Sequence, residues 1–205
     1  MSNLVMFDGR MGSGKTVGMS IKALLYQKQT GCTVFSNYGL KGSLPFTKFE
    51  DFKTVAVQPS SIICLDESHM DLSNRDFNLN SVKFFVNMVF FLRKMRCTLM
   101  MTSPLFENID SKVRAVTNFY VHVSKSNGYL NYYYYDVEQA SFLRQDRLSL
   151  EKVAKIGEEI FDTYEMVTPL DYPKSRPEFE LIMGEVKQLN KAYMEQIRNE
   201  NAVVS

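Results

Sequence analysis

The sequence predicts an α/β fold: a mostly parallel sheet flanked by helices on both faces, with an added β-hairpin and a C-terminal helical arm. Three observations carry this. Gly9-Arg10-Met11-Gly12-Ser13-Gly14-Lys15-Thr16 satisfies the pattern G-x-x-x-x-G-K-[ST] at every fixed position, between an apolar run and a helical one. Four short apolar runs follow one another with helical or polar stretches between them, as buried parallel strands do. Asn127-Gly128 joins two strand-like runs and is a type I′ turn signal.

The first strand is Leu4-Val5-Met6-Phe7, and the glycine-rich turn after it presents backbone N–H groups inward as an anion nest. A helical pattern then runs from Lys15 through Tyr26 and ends at Gly31, adding its positive dipole end to the same site. Thr33 to Ser36, Ser61 to Leu65 and Cys97 to Thr102 are the next three strands. Alternation with helices makes their connections right-handed and their sheet parallel. Val82 to Met95, with phenylalanines at 84, 85, 90 and 91, is too long for a strand and reads as a helix packed on the sheet.

The hairpin comprises Phe119 to Val123 and Tyr129 to Val137. Its tyrosine run at 132–135 places side chains alternately on the two faces, the pattern of a half-buried strand rather than of a platform for stacking bases. Leu148 to Ile160 reads as a charged amphipathic helix. Pro169, Pro173 and Pro177 break regular structure, and Glu178 to Glu200 is a mostly polar helix suited to packing on a neighbouring subunit. The chain therefore divides into a P-loop domain at 1–165 and a C-terminal arm at 166–205.

Bulk composition narrows the classes. A chain of 205 residues fits one domain with appendages, and 45% apolar with 23% charged residues is the balance of an ordinary globular protein. A net charge of +1 supplies no general basic field, so a DNA partner must be met by a local patch or by a ring of subunits. No apolar run reaches the length of a membrane span, and Met1 leads directly into the first strand, so the expectation is an intracellular protein made without a signal peptide. Cys32, Cys64 and Cys97 lack metal-ligand spacing and read as buried small hydrophobes.

The motifs point to nucleoside triphosphate chemistry. Gly9, Arg10, Met11, Gly12, Ser13, Gly14, Lys15, Thr16 and Val17 form the phosphate cradle, with Lys15 reaching the β- and γ-phosphates and the Thr16 hydroxyl ligating Mg²⁺. Ser61-Ile62-Ile63-Cys64-Leu65 ends in Asp66-Glu67. Strand geometry carries Asp66 to the sheet edge beside the P-loop, where it holds Mg²⁺ through water, and Glu67 then orients the attacking water. His69 reads as a supporting or surface residue, and His122 is the only other histidine. At the end of the fourth strand, Ser103 or Thr102 either senses the γ-phosphate or merely caps the next turn. Arg75 leads the candidates for an arginine finger, followed by Arg114, with Arg93 and Arg96 at the end of the long helix. A small-molecule kinase shares the P-loop but needs a lid supplying several arginines, which here are scattered.

Taken in order, these elements resemble the FtsK/HerA superfamily of P-loop ATPases over roughly Val5 to Val123. The resemblance rests on the P-loop, Val34-Phe35-Ser36-Asn37 and Leu65-Asp66-Glu67-Ser68-His69, then on Arg75, Phe91-Leu92-Arg93 and Ile109-Asp110 with Arg114. Among viral members it is similar both to Zot-like proteins of filamentous phages and to packaging ATPases of tailless, membrane-containing double-stranded DNA viruses. Zot-like proteins usually add a membrane-spanning segment. The packaging branch implies a pentameric or hexameric ring in the host cytoplasm or at the virion vertex, threading double-stranded DNA into a preformed capsid. It also implies ATP and Mg²⁺ as cofactors and capsid or portal proteins as partners. The Zot-like branch implies a nucleotide-dependent assembly or export factor. One departure is Ser103, where superfamily members commonly carry glutamine.

Overall fold

Side chains pointing alternately to either side of the strands divide the apolar residues between the two faces of one sheet, and helices cover both faces. The computed structural model describes residues 4–67, 79–162 and 165–204. Its strands are β1 (Leu4–Asp8), β2 (Thr33–Ser36), β3 (Leu44–Pro45), β4 (Ser61–Leu65), β5 (Cys97–Ser103), β6 (Phe119–Ser126), β7 (Tyr129–Asp136) and β8 (Ser141–Ser149). The helices are α1 (Lys15–Thr30), α2 (Phe52–Ala56), α3 (Leu79–Leu92), α4 (Ser111–Ala115), α5 (Leu150–Ile160) and α6 (Arg176–Val204).

The sheet order is β3-β2-β4-β5-β1-β6-β7-β8. Pairings from β3 to β6 are parallel, and β6-β7-β8 continue antiparallel. On one face Phe7, Val34, Cys64, Val121 and Tyr132 meet Met19 and Ala23 of α1. On the other, Met6, Phe35, Ile63 and Leu99 meet Phe85 and Met88 of α3, Phe52 of α2 and Phe179 of α6. The period of two is thus read out as two cores, one above and one below the sheet.

The four expected parallel strands are present, as is the hairpin with Asn127 and Gly128 at its turn. Besides β3, α2 and α4, which the sequence reading did not include, three features differ from it. β8 occupies 141–149, and the helix after it starts at Leu150 because the Ser149 side chain caps it, accepting from the Lys152 N–H. Helix α3 is shifted toward the N-terminus, and its last turn gives way to a turn in which Arg96 takes a φ of 55°. The first half of α6 packs on the chain's own core, with the Phe179 ring stacked on Phe84 at 4.4 Å. Ahead of it, the segment after α5 crosses the β2–β3 edge, where Thr168 exchanges hydrogen bonds with Asn37 and Asp171 pairs with Thr47 and Phe49. No helix among the described residues is long and apolar enough to cross a membrane.

Candidate nucleotide-binding site

Every parallel strand ends at one edge of the sheet, and the P-loop residues, Asp66 and Glu67 collect there. Gly9 leaves β1 with φ 147° and passes so close to β6 that a Cβ would lie 2.2 Å from the Val123 carbonyl oxygen. The loop then turns back, with Ser13 N–H donating to the Arg10 carbonyl at 3.0 Å, and delivers Lys15 at the first turn of α1. Arg10, Met11 and Gly12 form the exposed outer rim, while Val17 is half-buried on α1. The Ser13 hydroxyl is buried without a hydrogen-bond partner among the described residues. An orphaned buried hydroxyl in a glycine-rich loop at the start of a helix fits an anion seat.

Lys15 Nζ donates to the carbonyls of Gly9 at 2.8 Å and Arg10 at 3.1 Å. Burial lowers its pKa, and the charges of Asp66, Asp8 and Glu67 pull it back up. An ammonium in this setting gains from a phosphate that adds charge to its surroundings.

Asp66 stands at the centre of the edge. Both its carboxylate oxygens accept from the Thr16 hydroxyl, at 2.9 and 3.0 Å, and Oδ1 also accepts from the Thr102 hydroxyl at 2.5 Å. Its backbone is clamped by Asn37, whose side-chain oxygen accepts from Asp66 N–H at 2.8 Å and whose amide donates to the Asp66 carbonyl at 3.2 Å. Thr16 and Asp66 thus offer converging hard oxygens, the sparse donor set that Mg²⁺ completes with water and phosphate oxygens. No cluster of three His, Cys, Asp or Glu side chains forms among the described residues. Glu67 follows with φ 52°, a left-handed conformation costing roughly 1–2 kcal/mol for a residue with a Cβ. It is exposed, and its N–H donates to the Thr102 hydroxyl at 3.0 Å.

The hairpin forms a wall of this site that the sequence reading did not include. Tyr132 is buried on the α1 face, and its hydroxyl donates to the Gly14 carbonyl at 3.0 Å. Gly18 on α1 lies against that ring: a Cβ there would stand 2.0 Å from Tyr132 Cε1. Beneath the loop, Asp8 is buried with the Tyr120 hydroxyl at 2.7 Å and His122 Nδ1 at 2.8 Å. The signal for Asp8 was its place directly before Gly9; nothing in the sequence marked Tyr120 or His122 as its neighbours, or Tyr132 as the partner of Gly14.

Other candidates lie elsewhere. The Ser103 hydroxyl is fully buried and donates to the Leu105 carbonyl at 3.0 Å, so the hydroxyl facing Asp66 belongs to Thr102. Arg114 sits on α4, just before the start of β6 at the sheet edge opposite the P-loop. Arg96 binds the carbonyls of Ala56 and Gln58 and the Asn190 side chain, tying α6 to the sheet. Arg93 is exposed. Arg75 and His69 lie outside the described residues.

No family model matches the chain, and no curated protein matches it. Solved structures do. The N-terminal domain of zonular occludens toxin from Neisseria meningitidis matches with a TM-score of 0.53 and 18% identity, covering 79% of this chain and 100% of that one. The genome packaging NTPase B204 from Sulfolobus turreted icosahedral virus 2, in complex with ATP-gammaS, matches with a TM-score of 0.51 and 8% identity over 73% of this chain and 98% of that one. The DNA-packaging ATPase B204 from Sulfolobus turreted icosahedral virus matches at 0.52 and 12% identity, covering 69% and 95%. At these identities the likeness establishes the fold, a P-loop NTPase fold.

Proposed function

We propose that this protein is an ATP-hydrolysing motor of the FtsK/HerA type that moves double-stranded DNA during viral genome packaging. The observation that carries the reading is the meeting of Lys15, Thr16, Asp66 and Glu67 at one sheet edge, next to a glycine loop with an orphaned Ser13 hydroxyl. Lys15 would move from the Gly9 and Arg10 carbonyls onto the β- and γ-phosphates. Thr16 and Asp66 would hold Mg²⁺, which neutralises charge on the phosphate oxygens when bound. Glu67 would orient water for in-line attack, and Thr102 would keep it in place through its N–H. An arginine from a neighbouring subunit of a ring, Arg75 first and Arg114 second, would stabilise the departing γ-phosphoryl group. Capsid or portal proteins are the partners this role requires.

A nucleotide-dependent assembly or export factor is the second reading. It draws on the zonular occludens toxin domain, the whole of which this fold covers. Steady-state ATP hydrolysis by the purified protein, with and without double-stranded DNA, separates the two. DNA stimulation that vanishes in Glu67→Gln supports the packaging motor. Turnover indifferent to DNA favours the assembly factor, and a Lys15→Ala protein that still hydrolyses ATP removes both.

A further inference from the structure

Asp8 brings a buried carboxylate to the foot of the phosphate loop, one residue before Gly9. Its side chain is 7% exposed. Three donors hold it: the Tyr120 hydroxyl at 2.7 Å and His122 Nδ1 at 2.8 Å on Oδ1, and the Phe106 N–H at 3.2 Å on Oδ2. Strand register fixes the arrangement, because Asp8 and His122 are partners across the parallel β1–β6 pair. Of the three donors only the imidazole can become a cation. Burial first, then Asp8, raises the Tyr120 phenol well above its ordinary range, so it stays a neutral donor.

The charge balance around Lys15 gives this pair a consequence. Asp66, Asp8 and Glu67 all act on that ammonium, and a triphosphate adds further negative charge to the same space. With a neutral imidazole, Asp8 remains an uncancelled anion beside the loop. With an imidazolium, Asp8 and His122 form a neutral pair and Lys15 is left to the phosphates. The His122 side chain is 47% exposed, so its proton exchanges with solvent without the loop opening.

On the premise that the P-loop binds nucleotide, we propose that His122 is a positioning residue acting through Asp8, and that its protonation tightens nucleotide binding. Among the described residues, three groups face His122 directly. Asp8 comes from β1, Tyr120 from its own strand, and Tyr133 from β7 with its ring centroid 6.4 Å away. The β8 residue in line with Tyr133 is the uncharged Gln145. Glu107, in the turn before α4, acts on Tyr120, and Lys15 is coupled to Asp8. Since the imidazolium favours the phosphate-bound state, affinity is higher at the lower pH and falls as pH rises.

The test is equilibrium binding of ADP with Mg²⁺ to the full chain by calorimetry, at about pH 6 and about pH 8. Titration of the nucleotide's own phosphate is common to all variants, so the measured quantity is the pH ratio relative to His122→Asn. A unit charge roughly 10 Å from a phosphate in partly solvated surroundings makes the wild-type ratio about three- to fivefold larger than that of His122→Asn or His122→Gln. Asp8→Asn removes the carboxylate that holds the imidazole against the loop and favours its proton, and so flattens the ratio as well. Equal ratios in wild type and His122→Asn overturn the inference, as does a wild-type ratio in a folded Asp8→Asn. A wild-type protein that binds no ADP at either pH overturns the nucleotide reading itself and this inference with it. Binding with a flat comparison removes only the role of His122.

Discussion

Replacing Thr102 with valine tests how Asp66 and Glu67 are held, because the side-chain volume is kept and one hydroxyl is lost. That hydroxyl donates to Asp66 Oδ1 at 2.5 Å and accepts the Glu67 N–H at 3.0 Å. The first bond is charge-assisted and worth about 1.5–3 kcal/mol, and the second about 0.5–1.5 kcal/mol. Asp66 keeps the Thr16 hydroxyl and both Asn37 clamps, so it stays beside the P-loop. Glu67 loses the side-chain partner of its N–H while sitting at φ 52°, a conformation it leaves readily once released. If Glu67 must be positioned for hydrolysis, a loss of about 1.4–2.8 kcal/mol at the transition state lowers kcat about 10- to 100-fold. The nucleotide Kd should change by less than about threefold, because the groups expected to carry affinity are untouched. Parallel measurements of steady-state turnover and equilibrium binding separate the two effects, and Thr102→Ser should recover most of the turnover. A Thr102→Val enzyme with wild-type kcat refutes the positioning argument. A kcat loss that the serine does not restore assigns the effect to packing instead.

Gly18→Ala places a methyl 2.0 Å from the Tyr132 ring, and should lower stability by about 1–3 kcal/mol and weaken nucleotide binding. In a Tyr132→Ala background the same change should cost far less, as thermal melts of the double-mutant cycle will show. Arg96→Ala leaves the Ala56 and Gln58 carbonyls and the Asn190 side chain without their donor. Chemical denaturation should register about 2–4 kcal/mol of lost stability with nucleotide affinity unchanged. Burial pushes the Cys64 and Cys97 thiols up to about 12, so neither should react with a thiol reagent near neutral pH until denaturant is added.

β1, β2, β4 and β5 were legible because they are buried almost throughout and therefore written in largely consecutive apolar residues, whereas the exposed two-residue β3 was not. Ser61-Ile62-Ile63-Cys64-Leu65 is the clearest case, with all five positions buried. β8 was not legible for the converse reason. As the edge strand it leaves Phe142, Leu143, Arg144, Gln145 and Arg147 exposed, so neither alternation nor an apolar run marks it. The first half of α6 misled in a different way. Its apolar residues Phe179, Ile182, Met183 and Val186 have helical spacing, but polar neighbours dilute them, and only the tertiary structure shows that α2 and α3 cover them.

The site divides along the same line between local and non-local information. Lys15 and Thr16 belong to one continuous motif, and Asp66 and Glu67 end one continuous strand, so spacing alone predicts their chemistry. What surrounds them comes from chain segments far apart in sequence. Gly14 and Tyr132 are joined by a hydrogen bond of 3.0 Å, and Asp8 and His122 by one of 2.8 Å, yet each pair spans more than half the chain. Tyr132 is one of four consecutive tyrosines, and only strand register sends it and Tyr134 toward α1 while Tyr133 and Tyr135 take the other face. A hairpin that would serve merely as an edge extension thereby gains a second role. It fixes the carbonyl of Gly14 and the path of Gly9, so any movement of β6 or β7 is felt first where the phosphates are expected to bind.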